Sequence, residues 1–334
     1  MSETPPNAVV IGYGYAGRAF HSYLVGLEPG LNLLGVASRN AATRERIEQE
    51  RGCRAYASFE DVIADDDVDL VVLATPNHVH AELAIRALDA GKHVVTDKPM
   101  CVTLAECDRM IDASRRNQCV LSVFQNRRWD GDFLTLRKLL DDGRLGSLRW
   151  LEMAWQAPRA PRGWRGQAAY GGGRVYDLGA HLLDQCLLLM PQAVTSVYGR
   201  LHYDYEGRDV ESHAMVTLGF ADGATAIVDT GSMHFTKKPR MQAFGSEGSF
   251  VKHGLDPQEA AMNAENIDSA LEPEENYGTL ATAEEETTVP TMPGRWRNYY
   301  ELIAAQITGK ELPHAPVRPA ETRRVMAAAR SSFP

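Results

Sequence analysis

The 334 residues are 44% hydrophobic and 24% charged, with a formal net charge of −9. That is the make-up of a globular chain with room for about two domains, and the acidic balance argues against general nucleic-acid or anionic-membrane binding. Five cysteines, at 53, 101, 107, 119 and 186, are odd in number without C-x-x-C spacing, which fits free thiols in a reducing compartment; the opening MSETPPN has no basic region or long apolar run, so a cytoplasmic protein is expected.

The chain begins with a short apolar run, Ala8 to Ile11, consistent with a buried strand. Gly12-Tyr13-Gly14-Tyr15-Ala16-Gly17 follows, and then a helical stretch to about Leu27. G-x-G-x-x-G between a strand and a helix is the setting in which the motif binds a dinucleotide. Gly12 permits the tight turn, Gly14 lets a pyrophosphate approach the backbone, and Gly17 lets helix and strand pack closely. The next strand, Leu31 to Ala37, ends at Ser38 and Arg39. A carboxylate there would bond both ribose hydroxyls; instead a guanidinium is available to grip a 2′-phosphate. NADP is therefore favoured, with NAD possible if Arg39 is solvated and Asn40 does the reading.

Further units repeat the pattern. Ser58 is placed to cap a short helix to Ala64. A buried strand from Val68 to Ala74 ends in Thr75-Pro76-Asn77, and a helix from Val79 to Ala90 stops at Gly91. The strand Lys92 to Thr96 carries Asp97-Lys98-Pro99 at its carboxyl end; a helix over 104–117 leads to a strand over 119–124. This alternation predicts a doubly wound, mostly parallel Rossmann sheet over residues 1–125, with every motif at the carboxyl ends of strands, where ligands bind.

The pattern changes after Phe124. The polar junction Gln125 to Trp129 and a helix over 132–140 precede a strand over 147–155 and a Pro-, Gly-, Arg- and Trp-rich stretch over 158–173. Strand-like runs over 193–252, with a hairpin turn at Ala221-Asp222-Gly223, predict an α+β domain over 126–334 with a large, mostly antiparallel open sheet. One face of that sheet takes a helix, and a second copy of the chain in a homodimer or homotetramer would cover the other. The acidic 256–288 stretch reads as a solvated excursion with one short strand, and helices near 296–307 and 320–330 close the chain.

The helix over 177–190 is apolar except for Asp177, His181, Asp184 and Gln185, which form one narrow stripe. Two readings fit: a wet face turned to solvent, or an acid and a histidine one turn apart in a cleft. His78 and His80 do not share a helix face, so no metal site is expected.

Three motifs together resemble the Gfo/Idh/MocA oxidoreductases: G-x-G-x-x-G at Gly12–Gly17, D-K-P at 97–99, and GGG-x-x-x-D-x-G-x-H-x-x-D over 171–184. GYGYAG, SVFQNRRWDGDFLTL and GLDPQE narrow the likeness to a bacterial branch that includes NADP-dependent scyllo-inositol dehydrogenases. Asp97 departs from the family's commoner Glu. The resemblance covers essentially the whole chain and implies a catalytic set of Lys98, Asp177 and His181. Trp164 and Arg165 would lie near the nicotinamide ribose, Thr75, Pro76 and Asn77 against the cofactor, and Asn126 near substrate. His80 and Asp184 would be structural.

The residue chemistry agrees. An imidazole in the first turns of a helix is a suitable proton acceptor, and a lysine stabilises an alkoxide. The expectation is a dehydrogenase interconverting alcohol and ketone, or lactol and lactone, on a cyclic polyol or sugar. A redox-assisted glycosidase and an NADP-sensing regulator remain open on the same fold.

Overall fold

The computed structural model describes residues 4–333, which form two compact units. The first comprises residues up to Gln125 together with Met262–Glu265 and Arg297–Arg323. The second holds Asn126–Ala261, Asn266–Trp296 and the chain from Arg324 onward.

In the first unit, β1 (Asn7–Ile11), β2 (Asn32–Ala37), β3 (Arg54–Tyr56), β4 (Leu70–Leu73), β5 (His93–Thr96) and β6 (Leu121–Val123) form a sheet in the order β3-β2-β1-β4-β5-β6. All of its strand pairs are parallel. Its central strands are almost wholly apolar because helices cover both faces of a parallel sheet; β4 is buried along its whole length and β1 from Ala8 to Ile11. The strand order reverses between β1 and β4, which opens a crevice beyond their carboxyl ends. The expected Ser58 cap forms, its Oγ accepting from Asp61 N at 3.0 Å. The helix Leu104–Asn117 starts with a reciprocal capping box between Thr103 and Glu106. β3 has only three residues, too few for a periodic pattern to mark it. The helix Asn298–Thr308 belongs to this unit, with Tyr299 donating to Ser122 Oγ at 3.0 Å.

The second unit is built on an eight-stranded sheet. Its strands are β7 (Leu148–Gln156), β8 (Val194–His202), β9 (His213–Phe220), β10 (Thr225–Gly231), β11 (Met241–Gly245), β12 (Gly248–Lys252), β13 (Gly278–Thr282) and β14 (Glu286–Val289). They run in the order β14-β13-β12-β11-β7-β10-β9-β8, antiparallel except where β7 pairs with β10. Strand alternation divides the faces. Leu151, Met153, Ala226, Val228, Val216 and Leu218 are buried on one face, beneath the helix Ala180–Leu189. The other face carries Trp150, Tyr198 and Phe244, which are 39%, 59% and 40% exposed.

The acidic 256–288 stretch is solvated along much of its length, as its composition implies, but holds more structure than one short strand. It supplies the strand β13 and part of β14, and Asp256, Gln258, Ile267 and Leu280 are buried. Asp256 Oδ2 accepts the Gly131 amide at 2.7 Å, so a buried backbone group, not water, holds this carboxylate. Among the described residues no helix is long and apolar enough to cross a membrane.

Candidate active site

In the first unit the three glycines of the loop after β1 have separate tasks. A Cβ on Gly12, whose φ is +100°, would lie 2.7 Å from Ala74 O; one on Gly17 would lie 2.0 Å from Gly12 O. Packing excludes side chains at both. Gly14 has open space at its Cβ, as an approaching ligand requires. The helical segment starts at Ala16 with wide turns to His21 and continues as α-helix over Ser22–Leu27, so amide groups face the loop.

Tyr13 is not turned toward the loop's open side: its hydroxyl donates to Glu50 Oε2 at 2.8 Å beneath the Arg46 guanidinium. Burial and Glu50 push its pKa up to about 12. Tyr15 is half exposed and takes a hydrogen bond from Asn263. A cavity of about 360 Å³ lies here, lined by Tyr13, Gly14, Tyr15, Arg18, Arg46 and Asn263.

Beyond β2, Arg39 is exposed, and its guanidinium has no partner among the described residues. Arg44 fixes this loop by donating to the carbonyls of Ser38 and Arg39 at 2.8 and 3.1 Å. Asn40 is occupied as a helix cap, accepting from Thr43 N at 3.0 Å. Beyond β4, Thr75 Oγ1 is buried with no hydrogen-bond partner among the described residues. Such an orphan is costly unless a ligand or water completes it. The open Gly14, the amide-rich helix start and the waiting Thr75 hydroxyl together fit a bound dinucleotide. Asn77 is buried beside them, and Pro76 links the two.

Lys98 follows β5 through Asp97. Asp97 Oδ1 accepts the Lys98 backbone N–H at 2.7 Å, and Asp97 Oδ2 lies 3.7 Å from His21 Nε2. Burial raises the Asp97 pKa, but His21, with Lys98 and His80, outweighs it and holds the carboxyl at about 2. The His80 ring lies between two loops, with Nδ1 3.0 Å from Pro99 O and Nε2 2.9 Å from Thr75 O, and in its neutral form donates to one of these two carbonyls. Burial lowers its pKa.

In the second unit the polar stripe is buried except at Asp177, whose side chain is partly exposed. His181 is 5% exposed, Asp184 2% and Gln185 0%, so the stripe is not a wet face. The His181 ring stacks on Trp155, with centroids 5.9 Å apart, and Arg127 lies over the Trp155 ring at 4.1 Å. Asp177, one turn before His181, is held between Arg165 Nε and Arg174 Nη1, each 3.4 Å from a different carboxylate oxygen. Arg165 also packs on Trp164 at 4.3 Å. Asp184 accepts two 2.7 Å hydrogen bonds from Arg128. Asn126 is buried and begins the turn Asn126–Trp129 that carries both arginines.

Several residues of this architecture gave no signal in the sequence. Glu211, just before β9, accepts the Val175 amide at 2.6 Å and fills the space beside Gly173, where a Cβ would lie 2.3 Å from its carboxylate. It therefore caps the start of the helical segment bearing Asp177 and His181, and burial raises its pKa. Arg174 reaches Ser232 and the Arg159 carbonyl as well as Asp177. Gln125 is buried at the end of β6 with neither amide atom partnered. The junction Gln125 to Trp129 was visibly polar, but no local pattern separates a buried arginine from a solvated one. On the other sheet face His213, Asp229 and His234 bring donor atoms within 4.8 Å. The Asp229 carboxylate there is already taken by Lys238 and by His213 at 2.7 Å.

A glycine cradle at the switch point of a parallel sheet, with polar groups waiting at the strand ends, defines a dinucleotide-binding protein. Residues 7–125 match the model described as oxidoreductase family, NAD-binding Rossmann fold, and residues 133–251 match the GFO/IDH/MocA C-terminal domain. The chain belongs to the Gfo/Idh/MocA family of oxidoreductases. It is 36% identical over 315 residues to the uncharacterized oxidoreductase YdgJ of Escherichia coli (strain K12), covering 90% of this chain and 88% of that one. It is 31% identical over 337 residues to scyllo-inositol 2-dehydrogenase (NADP(+)) IolW of Bacillus subtilis (strain 168), covering 97% and 92%. The crystal structure of an NAD-binding protein from Listeria innocua superposes with a TM-score of 0.84 at 30% identity, covering 98% and 95%.

Proposed function

We propose that this oxidoreductase interconverts a secondary alcohol and a ketone on a cyclic polyol or sugar, with NADP as the preferred cofactor and a scyllo-inositol-like substrate. The observation that carries the reading is the His181 and Asp177 pair in the second unit, the histidine buried and the carboxylate partly exposed. His181 lies against Trp155, one turn from an Asp177 carboxylate that two guanidinium groups hold. IolW, whose name states both NADP and scyllo-inositol, supports the choice of cofactor and substrate.

Oxidising a secondary alcohol removes one proton and one hydride. Bound NADP supplies the hydride-accepting chemistry. His181 takes the hydroxyl proton, and in the reverse direction gives it back. Asp177 orients the imidazole or bonds a substrate hydroxyl, and Arg165 and Arg174 fix its carboxylate. Lys98 stabilises negative charge on the reacting oxygen. Gly12, Gly14 and Gly17 with Tyr13, Tyr15 and Ala16, and Thr75, Pro76 and Asn77, form the cofactor cradle; Trp164 serves the nicotinamide ribose and Asn126 the substrate. Arg39 grips the 2′-phosphate. Asn40 is less suited to that task because its side chain caps its own helix.

The test is nicotinamide absorbance with NADP⁺ or NAD⁺ against scyllo-inositol, myo-inositol, glucose and xylose. NADP⁺ reduction by an inositol is expected, with kcat falling about 10²–10⁴-fold in Lys98→Ala and His181→Ala. Arg39→Ala weakens NADP⁺ binding about tenfold more than NAD⁺ binding, because a charge-assisted contact is lost only for the former. Unchanged turnover in either catalytic variant, or equal cofactor losses for Arg39→Ala, would refute the assignment.

The sheet face carrying Trp150, Tyr198 and Phe244 is proposed to pair with a second copy of the chain. Trp150→Glu combined with Tyr198→Glu is expected to give monomers in light scattering. A wild-type protein that is already monomeric would refute the pairing.

A further inference from the structure

We propose that His21 is a positioning residue for Lys98 and acts through Asp97; this rests on the reading above that Lys98 takes part in the chemistry. His21 closes the first wide turns of the helical segment that starts at the glycine loop, and it is fully buried. Its ring packs on Phe124 with centroids 4.5 Å apart. Nδ1 lies 2.7 Å from the Tyr300 hydroxyl, while Nε2 has no hydrogen-bond partner among the described residues and faces Asp97 Oδ2 at 3.7 Å. The Tyr300 phenol, kept protonated by burial, donates to Nδ1 and so leaves the ring's proton on Nε2, toward Asp97.

The other Asp97 oxygen holds the Lys98 amide, and the His80 ring lies against the Pro99 carbonyl. The Lys98 amide at the end of β5 is thus held by a carboxylate that stays ionised in a partly buried place. An ionised carboxylate accepts the peptide N–H more strongly than a neutral acid, and a buried carboxylate needs a partner to stay ionised. His21 is that partner. It also joins the phosphate-facing helix to the strand end that carries Lys98, which explains a histidine in an otherwise apolar interior.

A double-mutant cycle tests this. A side chain displaced by about 1 Å costs up to about 10²-fold in rate. On that scale Asp97→Asn is expected to lower kcat about 10–100-fold and His21→Ala about tenfold, with the KM for NADP⁺ within about twofold of wild type. Adding His21→Ala to Asp97→Asn then costs less than about twofold, since the residue it acts through is gone. Asp97→Glu, which keeps the carboxylate, recovers most of the loss. Should His21→Ala fail to fold, His21→Gln takes its place, keeping a group within reach of Tyr300.

Lys98 is also read without turnover, by pyridoxal phosphate labelling with borohydride trapping, scored as the ratio of Lys98 to Lys310 by peptide mass spectrometry. The ratio is expected to shift about threefold or more in His21→Ala and Asp97→Asn, on the same displacement argument, and to hold in Asp97→Glu. Additive losses in kcat, a loss confined to KM, or an unchanged labelling ratio would overturn the proposal. If Lys98→Ala left turnover intact, the functional reading would fail, while the labelling ratio would still decide the role of His21.

Discussion

The cofactor cradle of the first unit and the His181 site of the second are built from different materials. The cradle is backbone: Gly12 and Gly17 are glycine because carbonyl oxygens stand where their Cβ atoms would be. The His181 site is side chain on side chain. Trp155 comes from β7, Arg127 from the turn after β6, Glu211 from the approach to β9 and Arg240 from the approach to β11. A backbone site tolerates any neighbour that leaves the main chain alone, whereas a side-chain site fails when one buried partner is lost. That difference sets the expected sizes of perturbation.

The largest effect is expected in the second unit. Arg128 and Asp184 are both buried and bonded twice, so Arg128→Ala takes the opposite charge and both of these hydrogen bonds from a buried carboxylate, at a cost of about 3–5 kcal/mol. Denaturant unfolding measures the loss, and NADP⁺ binding at low denaturant is expected to persist. Loss of both together would break the distinction between the two regions.

Next comes Gly17→Ala. Its Cβ forces the loop away from Gly12 O, costing about 1–3 kcal/mol, and the loss is expected as a weaker cofactor Kd with the second unit's unfolding unchanged. A variant that binds NADP⁺ like wild type would show that the loop's close approach is not what the ligand uses.

The smallest effect sharpens the boundary inside the first unit. The Asp97 carboxyl is held at about 2, below the ordinary aspartate value of 3.8. Its contribution is therefore fully present above about pH 4 and is lost as the pH falls through about 2, amounting to about 2 kcal/mol. The stability gap between wild type and Asp97→Asn should narrow by about that much between pH 5 and pH 2. A gap independent of pH would mean that Asp97 does not depend on its charge.

The legibility of the two regions follows the same division. G-x-G-x-x-G, the Ser58 cap and the helix over Leu104–Asn117 were readable because each depends on neighbours within a few residues. The stripe of Asp177, His181, Asp184 and Gln185 was readable as a stripe but not as buried or exposed. That depends on whether Arg128, Arg127 and Trp155 arrive from elsewhere. Within the acidic 256–288 stretch the same division holds: composition describes how the segment meets water along much of its length, while the buried Asp256 meets the Gly131 amide instead.

The sequence by itself determined the family, the Rossmann alternation, the strand-end positions of Ser38–Arg39, Thr75–Asn77 and Asp97–Pro99, and the one-turn spacing of Asp177 and His181. These are local facts, fixed by chain geometry at separations of a few residues. Only the tertiary structure decided that Tyr13 turns to Glu50, that Arg165 and Arg174 share Asp177, that Glu211 caps the helical start, and that His21 faces Asp97. Except for Arg174 with Asp177, three residues apart, each of those pairings joins residues from different segments. A buried charge accepts whichever partner packing delivers, and packing is a property of the whole fold.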